Sequence, residues 1–233
     1  MRGYQVELPE VTYVGVLPRR EITGDNSIEK LLRIGYVTSR HVNFGERVVF
    51  TAQKPDCETY GFKIVEIESL PFDHYTAWAL QNFQHMFSTP FMINFHSDGM
   101  IQNPSGWDHD FLSYDYIGAP WPEDRLSGNG GFALRSKKLC ELAADLDMAP
   151  HFPQRGLMDN EDVLVCRTYR EYFLDNGCRF APAEVAEKFS TEHYASNYRY
   201  FKDSFGFHEI ESIKDENLKS YRRERLGNIL LTS

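Results

Sequence analysis

The sequence predicts an α/β domain in which a mostly parallel, mixed central sheet is flanked by helices. Three observations predict it. Apolar β-branched runs alternate with helical patterns through the first half of the chain, the rhythm of strands joined by helical crossovers. With 233 residues and 42% hydrophobic content, the chain can bury one sizeable core as a single domain over 1–233, and it carries no linker, repeat or low-complexity tract. An aromatic share of 14% excludes a disordered chain, and no stretch approaches the ~18 uninterrupted apolar residues that cross a bilayer.

The elements follow in order. Residues 11–17 (VTYVGVL) form a nearly continuous apolar run, as a strand buried on both faces does, and Pro18, Arg19 and Arg20 end it. Asp25 or Asn26 is placed to cap a helix over about 27–41. Residues 47–52 (RVVFTA) and 62–69 (FKIVEIES) read as second and third strands. Asp73 caps an aromatic helix to about residue 87, and 91–95 (FMINF) is a fourth strand opening into the polar loop His96-Ser97-Asp98-Gly99. Further on, strands are expected near 116–118 and 131–135, with helices near 136–145 and 160–175. A terminal helix over about 213–231 would gather Leu218, Tyr221, Leu226, Ile229 and Leu230 on one face and Lys219, Arg222, Arg223 and Arg225 in a basic patch.

With 25 Lys and Arg against 34 Asp and Glu, the net charge is −9, so no global positive field draws in a nucleic acid. A polyanionic ligand would need a local cation. Cys57, Cys140, Cys166 and Cys178 have no C-x-x-C or zinc-like spacing and read as buried thiols of a reducing compartment. The opening MRGYQVELPEV has no signal-peptide pattern, and the expectation is a cytoplasmic protein. The basic terminal helix either packs on its own domain or touches an anionic surface peripherally at the inner membrane face.

Four segments can carry chemistry. Asp98, at a strand end beside His96, is placed to hold a divalent cation on a diphosphate, since ligands of parallel sheets bind beyond the carboxyl ends of strands; an ordinary Asp-Gly turn reads the same way. Gly128-Asn129-Gly130-Gly131 reads as a loop whose backbone passes close to a ligand, or as a flexible turn. Glu161 and Asp162 stand at a helix start, where carboxylates cap free N–H groups or present a general base to a hydroxyl. His208 lies between aromatics, and Trp107 and Trp121 flank the other segments, where an exposed indole stacks on a sugar.

Taken in order, INFHSDG, FLSYDYIGAPWP, GNGGFALRS, NEDV, FAPAEVAEKFS and SFGFH resemble a family of uncharacterised microbial domains related to the GT-A glycosyltransferases, over about residues 11–208. The resemblance implies a hexosyltransferase-like enzyme of polysaccharide biosynthesis. It would move a sugar from a nucleotide-sugar donor, commonly a UDP-sugar, to a hydroxyl of a saccharide or lipid-linked acceptor. It implies Asp98 as the acid of a metal motif for Mn²⁺ or Mg²⁺ and His208 as the histidine completing the site. Gly130 and Gly131, with Asn129 and Trp121, would lie along the donor, and Asp162 would be the base of an inverting displacement with Glu161 beside it. One departure stands out: His96 replaces the first acid of a D-x-D pair, which leaves a non-catalytic scaffold as an alternative. Asp98 and Asp162 could also serve a glycoside hydrolase, which needs neither metal nor nucleotide.

Overall fold

The computed structural model describes residues 5–20, 27–71, 74–147, 160–192 and 202–209, together with Ser220, Arg223 and Glu224. The described elements are β1 (Val6–Leu17), α1 (Ile28–Ser39), β2 (Val42–Thr51), β3 (Lys63–Glu66), α2 (Tyr75–Asn82), β4 (Phe91–Phe95), β5 (Gly99–Ile101), β6 (Tyr116–Pro120), β7 (Ser127–Ser136), α3 (Lys137–Ala144), α4 (Glu161–Val163), α5 (Arg170–Asp175), α6 (Ala183–Phe189), β8 (Ser190–Thr191) and β9 (Gly206–His208). Six strands make the central sheet in the order β3-β2-β1-β4-β7-β6. The β1–β2, β1–β4 and β2–β3 pairs are parallel, and β7 enters antiparallel to both β4 and β6. The architecture is the predicted α/β class.

The continuous apolar run of β1 has a direct cause. Successive side chains of a strand face opposite sides, and here both sides are covered. Tyr13 joins the cluster holding Leu31 and Leu32 of α1, whereas Val14 joins the one holding Ala79 of α2 and Cys140 of α3. Tyr13 is stacked between Phe44, with centroids 4.8 Å apart, and Phe95, at 4.1 Å. Each such aromatic pair adds ~0.5–1.5 kcal/mol beyond its buried area.

Several boundaries differ from expectation. β1 begins at Val6, five residues early, and its pairing with β2 shifts register between Leu8 and Thr12, the irregularity at which a strand accommodates Pro9. Asp25 and Asn26 lie outside the described residues; Ser27 is the α1 cap, its hydroxyl accepting from the Lys30 N–H at 3.1 Å. Asp73 also lies outside them. The third strand is only Lys63–Glu66. The helix expected over 160–175 is three pieces: α4, a π-helical turn Leu164–Thr168, and α5. Gly128-Asn129-Gly130-Gly131 is part of strand β7 and not a loop. Cys140, Cys166 and Cys178 are buried free thiols as expected, whereas Cys57 is half-exposed.

A second sheet, β5-β9-β8, is absent from the sequence reading. In it β9 runs antiparallel to β5, pairing His208 with Gly99, and parallel to β8, pairing Phe207 with Thr191. This small sheet carries the distant C-terminal segment back to the carboxyl end of β4. The terminal helix over about 213–231 lies outside the described residues, apart from helical, exposed Ser220, Arg223 and Glu224. Among the described residues, no helix is long and apolar enough to cross a membrane.

Candidate functional site

Strand β4 ends in a tight hairpin. His96 and Gly99 exchange backbone hydrogen bonds at 3.1 and 3.2 Å, which leaves Asp98 at the tip with about half of its side chain exposed. β5 then pairs with β9, and the His208 Nε2 comes to 3.5 Å from Asp98 Oδ1. The His96 and His208 rings stand edge to face with centroids 5.7 Å apart. One ligand atom from each of His96, Asp98 and His208 lies within 4.8 Å of the other two. Two imidazoles and a carboxylate are a donor set that suits a first-row transition ion such as Mn²⁺ better than Mg²⁺, which prefers oxygen throughout.

The electrostatics of this cluster follow from its contacts. Burial disfavours the His208 cation, but hydrogen bonds to Asp98 and Glu192 outweigh it and raise its pKa to about 10. Burial would raise the Asp98 carboxyl, yet the His208 hydrogen bond and charge hold it down at about 2. His96 is lowered, first by burial and then by the neighbouring His208.

The His208 ring sits where a side chain on β7 would otherwise be. A Cβ on Gly131 would come within 2.1 Å of His208 Nε2, and one on Gly99 within 2.9 Å of its Cδ2. Gly130, one residue earlier, serves the other cluster. Its N–H donates to Asp162 Oδ2 at 2.7 Å, while the Val163 N–H donates to Asp162 Oδ1 at 2.7 Å. Glu161 Oε1 accepts from Arg135 Nη2 at 2.8 Å. Arg135 is 1% exposed, sandwiched near the rings of Phe83 and Tyr116 at 4.9 and 5.2 Å. Glu161 and Asp162 are both buried. Burial, then the Glu161 charge, push the Asp162 carboxyl up to about 6 against the Gly130 and Val163 hydrogen bonds.

A cavity of about 360 Å³ opens at the carboxyl ends of β1 and β4. Val16, Leu17, Leu31 and Leu70 line it together with the polar Arg19, Ser27, Tyr75, His96 and Asp98. Tyr75 also feels the charges of Glu161 and Arg135, and its helix α2 packs against α4, which carries the carboxylate pair.

His96, Asp98 and His208 are therefore brought together, as are Asp162, Glu161 and Gly130, and Gly131 touches the first group. Asn129 supports His208 through its neighbours: its Oδ1 accepts from the Gly131 N–H at 3.0 Å and its Nδ2 donates to Glu192. Trp121 is half-buried. Its ring lies against Gly128 and beneath the Arg167 guanidinium, 4.0 Å from the centroid. Trp107 is likewise packed, edge to face with Phe111 and Phe205. Glu192, Arg135 and Tyr75 escaped the sequence reading. Only a charged residue inside an apolar strand, Arg135 in FALRS, gave a signal to follow.

A family model described as a protein of unknown function, DUF5672, matches residues 74–208, which is more than half of the chain and holds every member of both clusters. The chain belongs to the DUF5672 family. No curated protein matches it. Among solved structures, the DUF5672 chain is similar to the galactosyltransferase LgtC in complex with donor and acceptor sugar analogs, at TM-score 0.59 and 12% identity over 95% of each chain. It is also similar to a glycosyltransferase involved in glycosylation of the major capsid of PBCV-1, at TM-score 0.51 and 14% identity over 92% of this chain and 98% of that one. At these identities the likeness is one of fold: this DUF5672 chain has the GT-A-like fold of solved glycosyltransferases.

Proposed function

We propose that this chain is a glycosyltransferase that moves a sugar from a nucleotide-sugar donor, a UDP-sugar by preference, to a hydroxyl of a saccharide or lipid-linked acceptor. One observation carries the reading. Two consecutive residues of β7, Gly130 and Gly131, touch Asp162 and His208, so a candidate base and a candidate cation site flank one stretch of backbone. The shared fold of glycosyltransferases supports it.

In this reading the apolar cavity takes the nucleoside, and His96, Asp98 and His208 hold Mn²⁺ or Mg²⁺ beside it. When bound, the ion neutralises the diphosphate and stabilises it as a leaving group, a need the chain's charge of −9 makes plain. Asp162 keeps two lone-pair sites beyond the Gly130 and Val163 hydrogen bonds. With one of them it takes the acceptor proton as the hydroxyl oxygen bonds to the anomeric carbon. The bond from that carbon to the diphosphate breaks on the opposite face, which inverts the centre. Arg135 holds Glu161 in place beside Asp162, so the pair bears one buried countercharge for two carboxylates. General-base catalysis of this kind contributes ~10²–10⁴-fold.

A second reading, a subunit that binds a sugar nucleotide without transferring it, draws on a specific observation. Both Asp162 oxygens already accept backbone N–H groups, as a purely structural carboxylate would. Incubation with a panel of nucleotide sugars and Mn²⁺, following nucleoside diphosphate release, separates the readings. Release that falls at least a hundredfold in Asp162→Asn supports transfer. Binding without release in any condition supports the scaffold, and release of free sugar from a simple glycoside, with no nucleotide sugar supplied, points to a hydrolase.

A further inference from the structure

We propose that Glu192 is the positioning residue of the cation site: it takes the Nδ1 proton of His208 as a hydrogen bond and so turns Nε2 toward Asp98. The inference rests on the cation reading above. Three observations carry it. Glu192 is only 3% exposed, and a buried carboxylate persists only with partners. It follows β8 directly, and because β8 pairs Thr191 with Phe207 in parallel, the next step of the register sets Glu192 beside His208. Its Oε1 lies 3.2 Å from His208 Nδ1, while His208 Nε2 faces Asp98 Oδ1 at 3.5 Å.

The orientation is imposed from β7. Asn129 Oδ1 accepts from the Gly131 N–H, so its amide cannot flip without facing donor to donor. Its Nδ2 must therefore donate to Glu192 Oε1. A carboxylate anchored in this way can only accept, which makes Nδ1 the nitrogen that keeps its proton and leaves Nε2 as the one whose proton a metal ion replaces. Carboxylates behind metal-bound histidines fix the tautomer and raise ligand basicity, and removing them commonly costs 10–100-fold in affinity. Gly131 completes the arrangement by leaving room for the ring.

The test titrates Mn²⁺ alone, without nucleotide, into the metal-free full chain by calorimetry. Glu192→Gln should weaken binding 10–100-fold with the metal-free melting temperature near wild type, and Asp98→Ala should abolish binding. Unchanged affinity in Glu192→Gln would overturn the positioning role. Loss as complete as in Asp98→Ala would also overturn it, by making Glu192 a ligand itself. If Glu192→Gln fails to fold, the wild-type protein answers alone. With 15N-labelled histidine and Zn²⁺ as a diamagnetic probe, His208 Nδ1 must keep its proton, and a metal-bound or deprotonated Nδ1 contradicts the proposal. Wild-type protein that binds no Mn²⁺ removes the cation reading, and this inference with it.

Discussion

His208 rests on Gly131, so closely that a methyl group there would come within 2.1 Å of the ring nitrogen Nε2. The backbone here is held by the Gly130 N–H on Asp162 and the Gly131 N–H on Asn129 Oδ1, and the ring is the part expected to move if a side chain is added. Gly131→Ala is expected to lower Mn²⁺ affinity at least tenfold, measured by calorimetry, and to lower the melting temperature as the overpacked site relaxes at ~1–3 kcal/mol. Unchanged binding would place the cation elsewhere.

Asp162 makes a pH-dependent contribution whose sign follows from its raised pKa of about 6. Protonated Asp162 is favoured in the folded protein, so this contribution is fully present below the ordinary value of 3.8 and is lost as pH rises through about 6. Chemical denaturation from pH 4 to 7 should show wild-type stability falling relative to Asp162→Asn, by a difference on the order of 2–3 kcal/mol. Turnover should run the other way and rise through pH 6 as the base ionises.

The same substitution carries a structural cost that a capping argument misses. Asparagine has one acceptor oxygen, whereas Asp162 uses two for the Gly130 and Val163 N–H groups. Asp162→Asn therefore sets an amide N–H against a backbone N–H, at about 1–3 kcal/mol below pH 4 where the charge difference vanishes. Differential scanning calorimetry at low pH measures it.

The Arg135–Glu161 pair is buried on both sides, at 1% and 11% side-chain exposure. Glu161→Ala should cost about 3–5 kcal/mol, because it leaves a buried guanidinium without its countercharge. The double variant Glu161→Ala, Arg135→Met should recover part of that loss in urea denaturation, and a simple sum of the two single effects would argue against coupling.

What the sequence disclosed and what it hid differ by physical scale. Residues 11–17 could be read because both faces of β1 are covered, and the element alternation exposed the parallel sheet. His96, Asp98 and His208 could be proposed together only through family resemblance, because β8 and β9 are two and three residues long and carry no periodicity. Glu192 is invisible for the same reason, since its meaning is the register of β8 against β9. Gly128–Gly131 misled because glycines that signal a loop in isolation here make room on a strand, for Trp121 at Gly128 and for His208 at Gly131. Ser27 is hard to single out as the α1 cap because Asp25 and Asn26, equally good cap residues, directly precede it.

In the proposed function, a divalent cation held by Asp98 and His208 is what lets an acidic protein bind a nucleotide-sugar diphosphate. Calorimetric titration of UDP into the full chain, with Mn²⁺ and again after chelation, tests it most directly. Binding should fall at least tenfold on chelation and to the same level in Asp98→Ala with Mn²⁺ present. Equal affinity in all three conditions would contradict it.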